Sequence, residues 1–194
     1  MTRKYVRFNY FRPVLVPAQD ALEDDLKDLN EDESDLVERV GDVWKMDDFL
    51  NFIFSKPNEF DFNYSLGDEY ADLEIDSFVY EDKYDVYGLQ ISKLRETNIP
   101  AKKKLGEIKE DILLDKDEYI GEFVSMLYDN RFETLMVQSN LYGVSTKQIE
   151  HYLTDLRFKY LEYNSIDEPM PCIVKLRPII DHNKINNAYD SAFY

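Results

Sequence analysis

The sequence predicts an α+β fold: a mainly antiparallel sheet of about six or seven strands with three helices packed against it. Three observations carry that reading. Short stretches at 3–16, 59–66, 72–80 and 84–94 show the period of two that marks half-buried strands. Two longer apolar runs, YIGEFVSMLYD and ETLMVQS, face each other across Asp129, Asn130 and Arg131. One helix, at about 145–162, announces its own start with capping residues.

In chain order, Val6, Phe8 and Tyr10 alternate with Arg7 and Asn9, a strand expected to end near Pro13 or Pro17. Asp20 and Glu23 have the spacing of a capping box, and Leu22, Leu26, Leu29, Leu36, Val37 and Val40 follow at roughly helical spacing. Glu33 interrupts that stripe, so one helix or two shorter ones fit residues 20–40, with Gly41 as the stop. Residues 45–56 carry Phe49, Leu50, Ile53 and Phe54 on a second helix closed by Pro57. Phe60, Phe62, Tyr64 and Leu66, then Leu73, Ile75 and Val79, then Tyr87, Leu89 and Ile91 suggest three strands of an antiparallel meander. Residues 96–117 read as an exposed connection with a basic knot at Lys102, Lys103 and Lys104. The hairpin after it is expected at the centre of the sheet with both faces covered. PCIVKLRPII is a last strand. Residues 1–180 make one domain, whose acidic region spans 20–87, and 181–194 form a tail or the start of a missing element.

The segment LMVQSNLYGVSTKQIEHYL resembles the second half of a helix-turn-helix. A helix-turn-helix needs a helix just before its recognition helix, and residues 133–139 have strand chemistry instead. Ser145 with Gln148 is a capping box, and Val144 with Ile149 has the spacing of a hydrophobic staple. Lys147, Arg157 and Lys159 are offset by Glu150, Asp155 and Glu162, so the helix lacks the basic excess of a groove reader. Its stripe of Ile149, Leu153, Leu156 and Tyr160 belongs over a sheet.

The chain holds 40 acids against 23 bases, a formal charge of −17. That field repels phosphate backbones and anionic membrane surfaces, so neither nucleic acid nor membrane is an expected direct partner. The charge is uneven. Residues 20–48 carry 13 acids and three bases, and residues 58–87 carry ten acids and one base, while residues 1–19 carry four bases and no acid. Three readings are open. The acids form a solvated face kept from aggregating by like charge. They present a surface to a basic protein partner, a nucleic-acid-handling enzyme in the sharpest form, which the protein would inhibit as a DNA mimic. Or they hold a metal. The interaction residues in the second reading are Asp24, Asp25, Asp28, Glu31, Asp32, Asp35, Asp68, Glu69, Asp72 and Glu74. Self-association stays open beside it.

Metal and catalytic patterns are weak. Asp61, Asn63, Ser65 and Asp72 have calcium-loop spacing, but Leu66 stands where the loop requires Gly, and strand alternation explains the same residues. Glu81 with Lys83 and Glu107 with Lys109 match a Glu-x-Lys nuclease spacing that 40 acids produce by chance. His151 and His182 are too few for a three-His zinc site, and Cys172 heads an apolar strand with no assigned base. No phosphate loop, nucleophile elbow or dinucleotide fingerprint occurs, so no cofactor is expected and nothing argues for catalysis. The lone Cys172 and the charged start MTRKYVRFNYFRPVLV predict a cytoplasmic protein.

Residues 84–153, from YDVYGLQISKLRETNIPAKKK through DEYIGEFVSMLYDNRFETLMVQSNLYGVSTKQIEHYL, together with the opening VRFNYFRP, resemble a family of uncharacterised bacterial and prophage-borne proteins. That family carries Arg where Ser139 stands here, between Gln138 and Asn140. The resemblance implies a setting, mobile elements and phage–host conflict, and implies no reaction. It adds an alternative function: an N-terminal or stand-alone module of an anti-phage defence protein, with any catalysis in a partner or a missing part.

Overall fold

The computed structural model describes residues 6–20 and 41–179. It is α+β, built on a curled, antiparallel sheet. The strands are β1 (Phe8–Pro17), β2 (Asp42–Val43), β3 (Tyr64–Ser65), β4 (Glu69–Leu73), β5 (Val79–Glu81), β6 (Val86–Arg95), β7 (Ile120–Asp129), β8 (Thr134–Gln138) and β9 (Cys172–Pro178). The helices are α1 (Asp47–Phe54) and α2 (Thr146–Tyr163); residues 18–20 are also helical, and the rest of the helix expected over 20–40 lies outside the described residues.

The sheet runs β1–β8–β7–β6–β4–β3 through its middle, with β2, β5 and β9 beside that path. Val14 and Leu15 pair with both β2 and β9, so those two strands flank β1 on opposite edges. Phe11 pairs with both Leu135 and Pro178, which places β8 on the same edge as β2. β6 pairs along its whole length with β7, leaving its other edge to β4 at one end and β5 at the other.

Several expectations shift for physical reasons. β1 ends at Pro17, the later of its two expected stops; it continues through Pro13 because the carbonyl of Pro13 still accepts a hydrogen bond from the Trp44 N–H at 2.9 Å while its missing donor disturbs only one rung. The expected strand over 59–66 shrinks to Tyr64–Ser65. Asp61 ties the Asn63 N–H into a local turn at 3.0 Å, and Phe60 and Phe62 alternate inward onto aromatic neighbours instead of a ladder. The strand expected over 72–80 splits into β4 and β5 around a 3-10 turn at Ile75–Ser77. Gln90 bridges the break: its carbonyl accepts from the Glu74 N–H at 3.0 Å, and its N–H donates to Ser77 Oγ at 2.9 Å. The β7–β8 hairpin is central, as expected, but its reverse face is only partly covered, with Phe123 50% exposed.

α1 buries Phe49, Leu50 and Ile53 and places Asp47 and Asp48 in its first turn, where the helix dipole favours them. It stops where Lys56 takes a left-handed φ of 51° before Pro57. α2 begins with the expected capping box: Ser145 Oγ accepts from the Gln148 N–H at 3.3 Å, and Gln148 Oε1 accepts from the Ser145 N–H at 2.9 Å. Gly143 just before it lies so close to β7 that a Cβ would stand 2.5 Å from Val124 Cγ2. Ile149, Tyr152, Leu153 and Leu156 of α2 are buried, the three aliphatic side chains worth roughly 1.5–3 kcal/mol each. What precedes α2 is β8 and a loop, which settles the helix-turn-helix resemblance as capping chemistry.

The core lies between the concave face of the sheet and the two helices. Leu89, Ile91, Val124, Met126, Leu135 and Val174 point into it at less than 7% exposure. The high aromatic content has a place here: Phe52 meets Phe60, Tyr160 and Tyr163 edge-on at centroid distances of 5.2, 5.0 and 5.1 Å. Buried phenols keep partners. Tyr128 accepts the Met46 N–H at 3.2 Å, and Tyr152 donates to the Phe62 carbonyl at 2.6 Å.

Candidate interaction site

α2 is tied to both ends of the curled sheet. On one side, Glu150 Oε1 accepts the Leu176 N–H at 2.7 Å and Thr154 Oγ1 accepts the Val174 N–H at 2.9 Å. Arg157 donates to the Cys172 carbonyl at 3.3 Å and to Glu168, whose carboxylate also accepts from the Cys172 N–H. Four residues of helix rise about 6 Å and two residues of strand about 6.6 Å, so side chains at 150, 154 and 157 keep step with strand positions 176, 174 and 172. On the other side, Lys159 Nζ reaches the Asn63 carbonyl at 2.8 Å and Asp61 at 3.1 Å, with Asp155 at 2.9 Å completing the cluster.

Several titratable groups in and beside these clusters depart from their ordinary values. Hydrogen bonding from Arg157 holds the Glu168 carboxyl below its usual range, against some desolvation. Desolvation pulls the Asp61 carboxyl up, but the Asn63 N–H and the Lys159 ammonium outweigh it and leave it lowered. Burial, and then the charge of Asp72, push the Tyr152 phenol far above normal. Burial, and then Glu168, also push the Cys172 thiol up, the opposite of a nucleophile's tuning. Glu168, Asp61 and Tyr152 are engaged in holding α2, β9 and the 59–66 segment together, while the Cys172 thiol donates to the Met170 carbonyl at 3.4 Å.

The predicted interaction residues divide. Asp24, Asp25, Asp28, Glu31, Asp32 and Asp35 lie outside the described residues. Asp68 is exposed at the turn into β4. Glu69 is paired with Lys93 Nζ at 2.7 Å, and Glu74 accepts a hydrogen bond from the buried Ser92 hydroxyl. Asp72 is half-buried, its carboxyl raised by desolvation and then by the charge of Glu74. The structure therefore brings the four onto one edge but leaves only Asp68 fully outward.

Beside Asp68, the outward acids on that edge are Asp76, Glu81 and Asp82, which lie outside the expected interaction set. Asp76 sits in the 3-10 turn between β4 and β5, Glu81 ends β5, and Asp82 opens a second 3-10 turn at Asp82–Tyr84. Exposed apolar groups stand among them: Ile75, Val79, Tyr80 and Tyr84. Tyr80 Oη donates to Asp85 Oδ1 at 3.1 Å, and Asn130 Nδ2 donates to Asp85 Oδ2 at 2.9 Å, so Asp85 braces the edge against the β7–β8 turn. Of the ten acids in 58–87, only Asp61 and Glu69 form ion pairs among the described residues, so the rest act as uncompensated charge. The sequence signal for this site was the short spacing of apolar and acidic residues in IDSFVYED, where the chain cannot keep a regular strand.

Other sequence candidates take ordinary places. Asp61, Asn63, Ser65 and Asp72 form no calcium loop: Asp61 turns to Lys159 while Asp72 belongs to β4. Among the described residues no three His, Cys, Asp or Glu side chains group as metal ligands. His151 is exposed on α2, beside an open groove lined also by Tyr64, Asp155, Phe158, Ile173 and Lys175; His182 lies outside the described residues. Among the described residues no helix is long and apolar enough to cross a membrane.

No curated protein and no solved structure shows significant similarity to the chain. A family model of unknown function matches the whole sequence, not half of it. With residues 1–194 matched, the chain belongs to the family of unknown function DUF6731.

Proposed function

We propose that this is a non-catalytic binding protein that engages a basic protein partner through its acidic half, with the β4–β5 edge as part of the contact. The observation that carries the reading is the edge itself, where outward Asp76, Glu81 and Asp82, without ion pairs among the described residues, stand among outward Ile75, Val79, Tyr80 and Tyr84. A face kept acidic only for solubility gains nothing from exposed aromatics, whereas a protein interface uses aromatic anchors for affinity and charge for steering and register. The partner class is a nucleic-acid-handling enzyme, whose basic groove a compact acidic edge would occupy as an inhibitor does. The setting is phage–host conflict, in the cytoplasm.

The test recovers complexes of the tagged protein from bacterial lysate at low and at moderate salt. A basic nucleic-acid-handling protein should be retained at low salt, released as salt shortens the Debye length to about 8 Å, and lost from the D76K/E81K variant, whose melting curve stays that of the wild type. A partner that survives both salt and the charge reversal would overturn the reading, as would its absence at every salt concentration.

A second reading, a module of a defence assembly that works beside a neighbouring subunit, is favoured by one observation. The segment between β6 and β7 leaves the body of the protein and exposes aliphatic side chains at its end.

A further inference from the structure

Residues 96–119 join β6 to β7 as a protruding arm. Its end is a small hairpin closed by reciprocal hydrogen bonds between the backbones of Lys102 and Glu110, each 2.9 Å, and turned at Gly106 with a φ of +86°. Leu105, Ile108 and Leu113 on this arm are 104%, 87% and 89% exposed. An isolated exposed leucine means little, but three aliphatics on one projection, with nothing of their own chain to cover them, form an apolar knob. Around the knob stand Lys102, Lys103, Lys104 and Lys109, with Glu107, Glu110 and Asp111 among them, a small basic excess. Lys102 and Lys104 have only exposed ion pairs, to Glu110 at 3.2 Å and to Glu107 at 3.8 Å, which are readily exchanged for others.

The same chain carries the complement. The β4–β5 edge offers the opposite charge at Asp76, Glu81 and Asp82 and open apolar surface at Ile75, Val79, Tyr80 and Tyr84. The arm cannot readily use this edge in its own chain. It leaves the sheet at Arg95 and returns at Ile120, a paired position, whereas β5 pairs with Val86–Gly88 at the far end of β6. Seven to nine residues of strand separate the two, about 23–30 Å.

We infer that the 96–119 arm seats its knob on the β4–β5 edge of a second copy of this chain, and that two copies exchange arms about a twofold axis. Leu105 and Ile108 meet Val79, Tyr80 and Tyr84 of the other copy, and the lysines meet its Asp76, Glu81 and Asp82. A twofold arrangement satisfies both arms at once with one kind of contact, so the assembly closes at two. Repulsion between two chains of net charge −17 is screened at ordinary ionic strength, where the Debye length is about 8 Å, while contacts inside the interface are not. The inference competes with the basic-partner reading for the same edge: a dimer that seats its arms there leaves that edge to a basic partner only when it opens.

Sedimentation velocity of the full chain across a concentration series at about 0.15 M salt tests it. Wild-type protein should be a dimer. The arm variant L105S/I108S and the edge variant E81K/D82K should each be monomeric, with dimerisation weakened on the order of a hundredfold, as expected when anchors at the centre of a contact are removed. Both sets of side chains are exposed in the single chain, so each variant should keep the wild-type circular dichroism spectrum and a cooperative melt, its midpoint lower only by the lost coupling to dimerisation. Mixed together, the two variants should form a heterodimer, because one intact arm then finds one intact edge. A wild-type monomer at every concentration overturns the inference, and so does a dimer indifferent to the arm substitutions. A monomer whose arm binds anionic vesicles, lost in L105S/I108S, overturns it in favour of a membrane surface. A chain that dimerises through the arm but retains no basic partner from lysate keeps this inference and loses the basic-partner reading; the reverse result does the opposite.

Discussion

The two edges of the sheet meet the same physical problem in opposite ways. An edge strand presents unpaired backbone groups that invite another chain. At β9 a helix covers the edge: Glu150 and Thr154 take the N–H groups of Leu176 and Val174, and Arg157 takes the Cys172 carbonyl. At β4–β5 the chain instead breaks the strand with a 3-10 turn at Ile75–Ser77 and surrounds it with Asp76, Glu81 and Asp82. A covered edge is finished and has no capacity for a partner. A short, charged edge repels its own kind of surface yet stays open to one of opposite charge, so the fold spends its polar side chains on the first and leaves the second available.

The largest expected effect breaks the covered side at its root. Leu153 is 3% exposed beneath α2, between the helix and the sheet. Leu153→Asp removes apolar contact and buries a carboxylate with no cation provided for it, a loss larger than about 4 kcal/mol and enough to unfold a domain of ordinary stability. Circular dichroism should show no cooperative melt. A soluble variant with an unchanged melting curve would refute the packing of α2 and the comparison with it.

Next in size is Arg157, buried against Glu168. Arg157→Ala leaves that carboxylate and the Cys172 carbonyl without their donor, and should cost about 2–3 kcal/mol in chemical denaturation, below the usual figure for a broken buried pair because Glu168 is partly exposed. The pH dependence gives the sign. The folded Glu168 carboxyl lies below its ordinary value, so the pair's contribution is complete above that ordinary value of 4.5 and is lost as pH falls through the lower, folded one. The gap between wild type and R157A should therefore narrow in acid. A gap that stays constant would assign the effect to packing alone.

Thr154→Val sharpens the argument at a single hydrogen bond. Valine keeps the shape but leaves the Val174 N–H unpaired, which should cost about 1–2 kcal/mol, while Thr154→Ser keeps the oxygen and most of the stability. A loss in Thr154→Ser with none in Thr154→Val would mean that the methyl group, not the capped edge, matters at this position.

This contrast between edges was half-legible in the sequence. The α2 cap was readable because Ser145, Gln148, Val144 and Ile149 lie within six residues and act on one another locally. The polar stripe at 150, 154 and 157 was not, because its meaning depends on β9, some twenty residues later, lying alongside in register. Read alone, those residues only offset the helix's basic charge. Phe60, Phe62 and Tyr64 alternate as a strand does, yet alternation reports which side is buried and not whether a ladder partner exists; only Tyr64 and Ser65 found one. The acidic blocks were plain from the counts, but a count cannot separate Glu69, tied to Lys93, from Glu81, which faces outward.

The smallest expected effect tests whether the open edge is held at a cost. Asp72 lies on β4 near Glu74 and is half-buried, and desolvation, then the neighbouring carboxylate, raise its pKa above the ordinary 3.8. A carboxyl whose folded pKa is raised favours the fold while it is protonated. That advantage is complete below the unfolded value and disappears as pH rises through the folded one, so at neutral pH its charge only weakens the protein. Asp72→Asn removes the charge and keeps the shape, and should raise the stability at pH 7 by up to about 1 kcal/mol, with the difference vanishing near pH 3. A destabilised D72N at neutral pH would mean that this carboxylate has a stabilising partner in the folded protein, and the β4–β5 edge would then be finished in its own way, as β9 is. A stabilised one would mark the edge as a place where stability is given up for charge, the condition a surface shaped by a partner should meet.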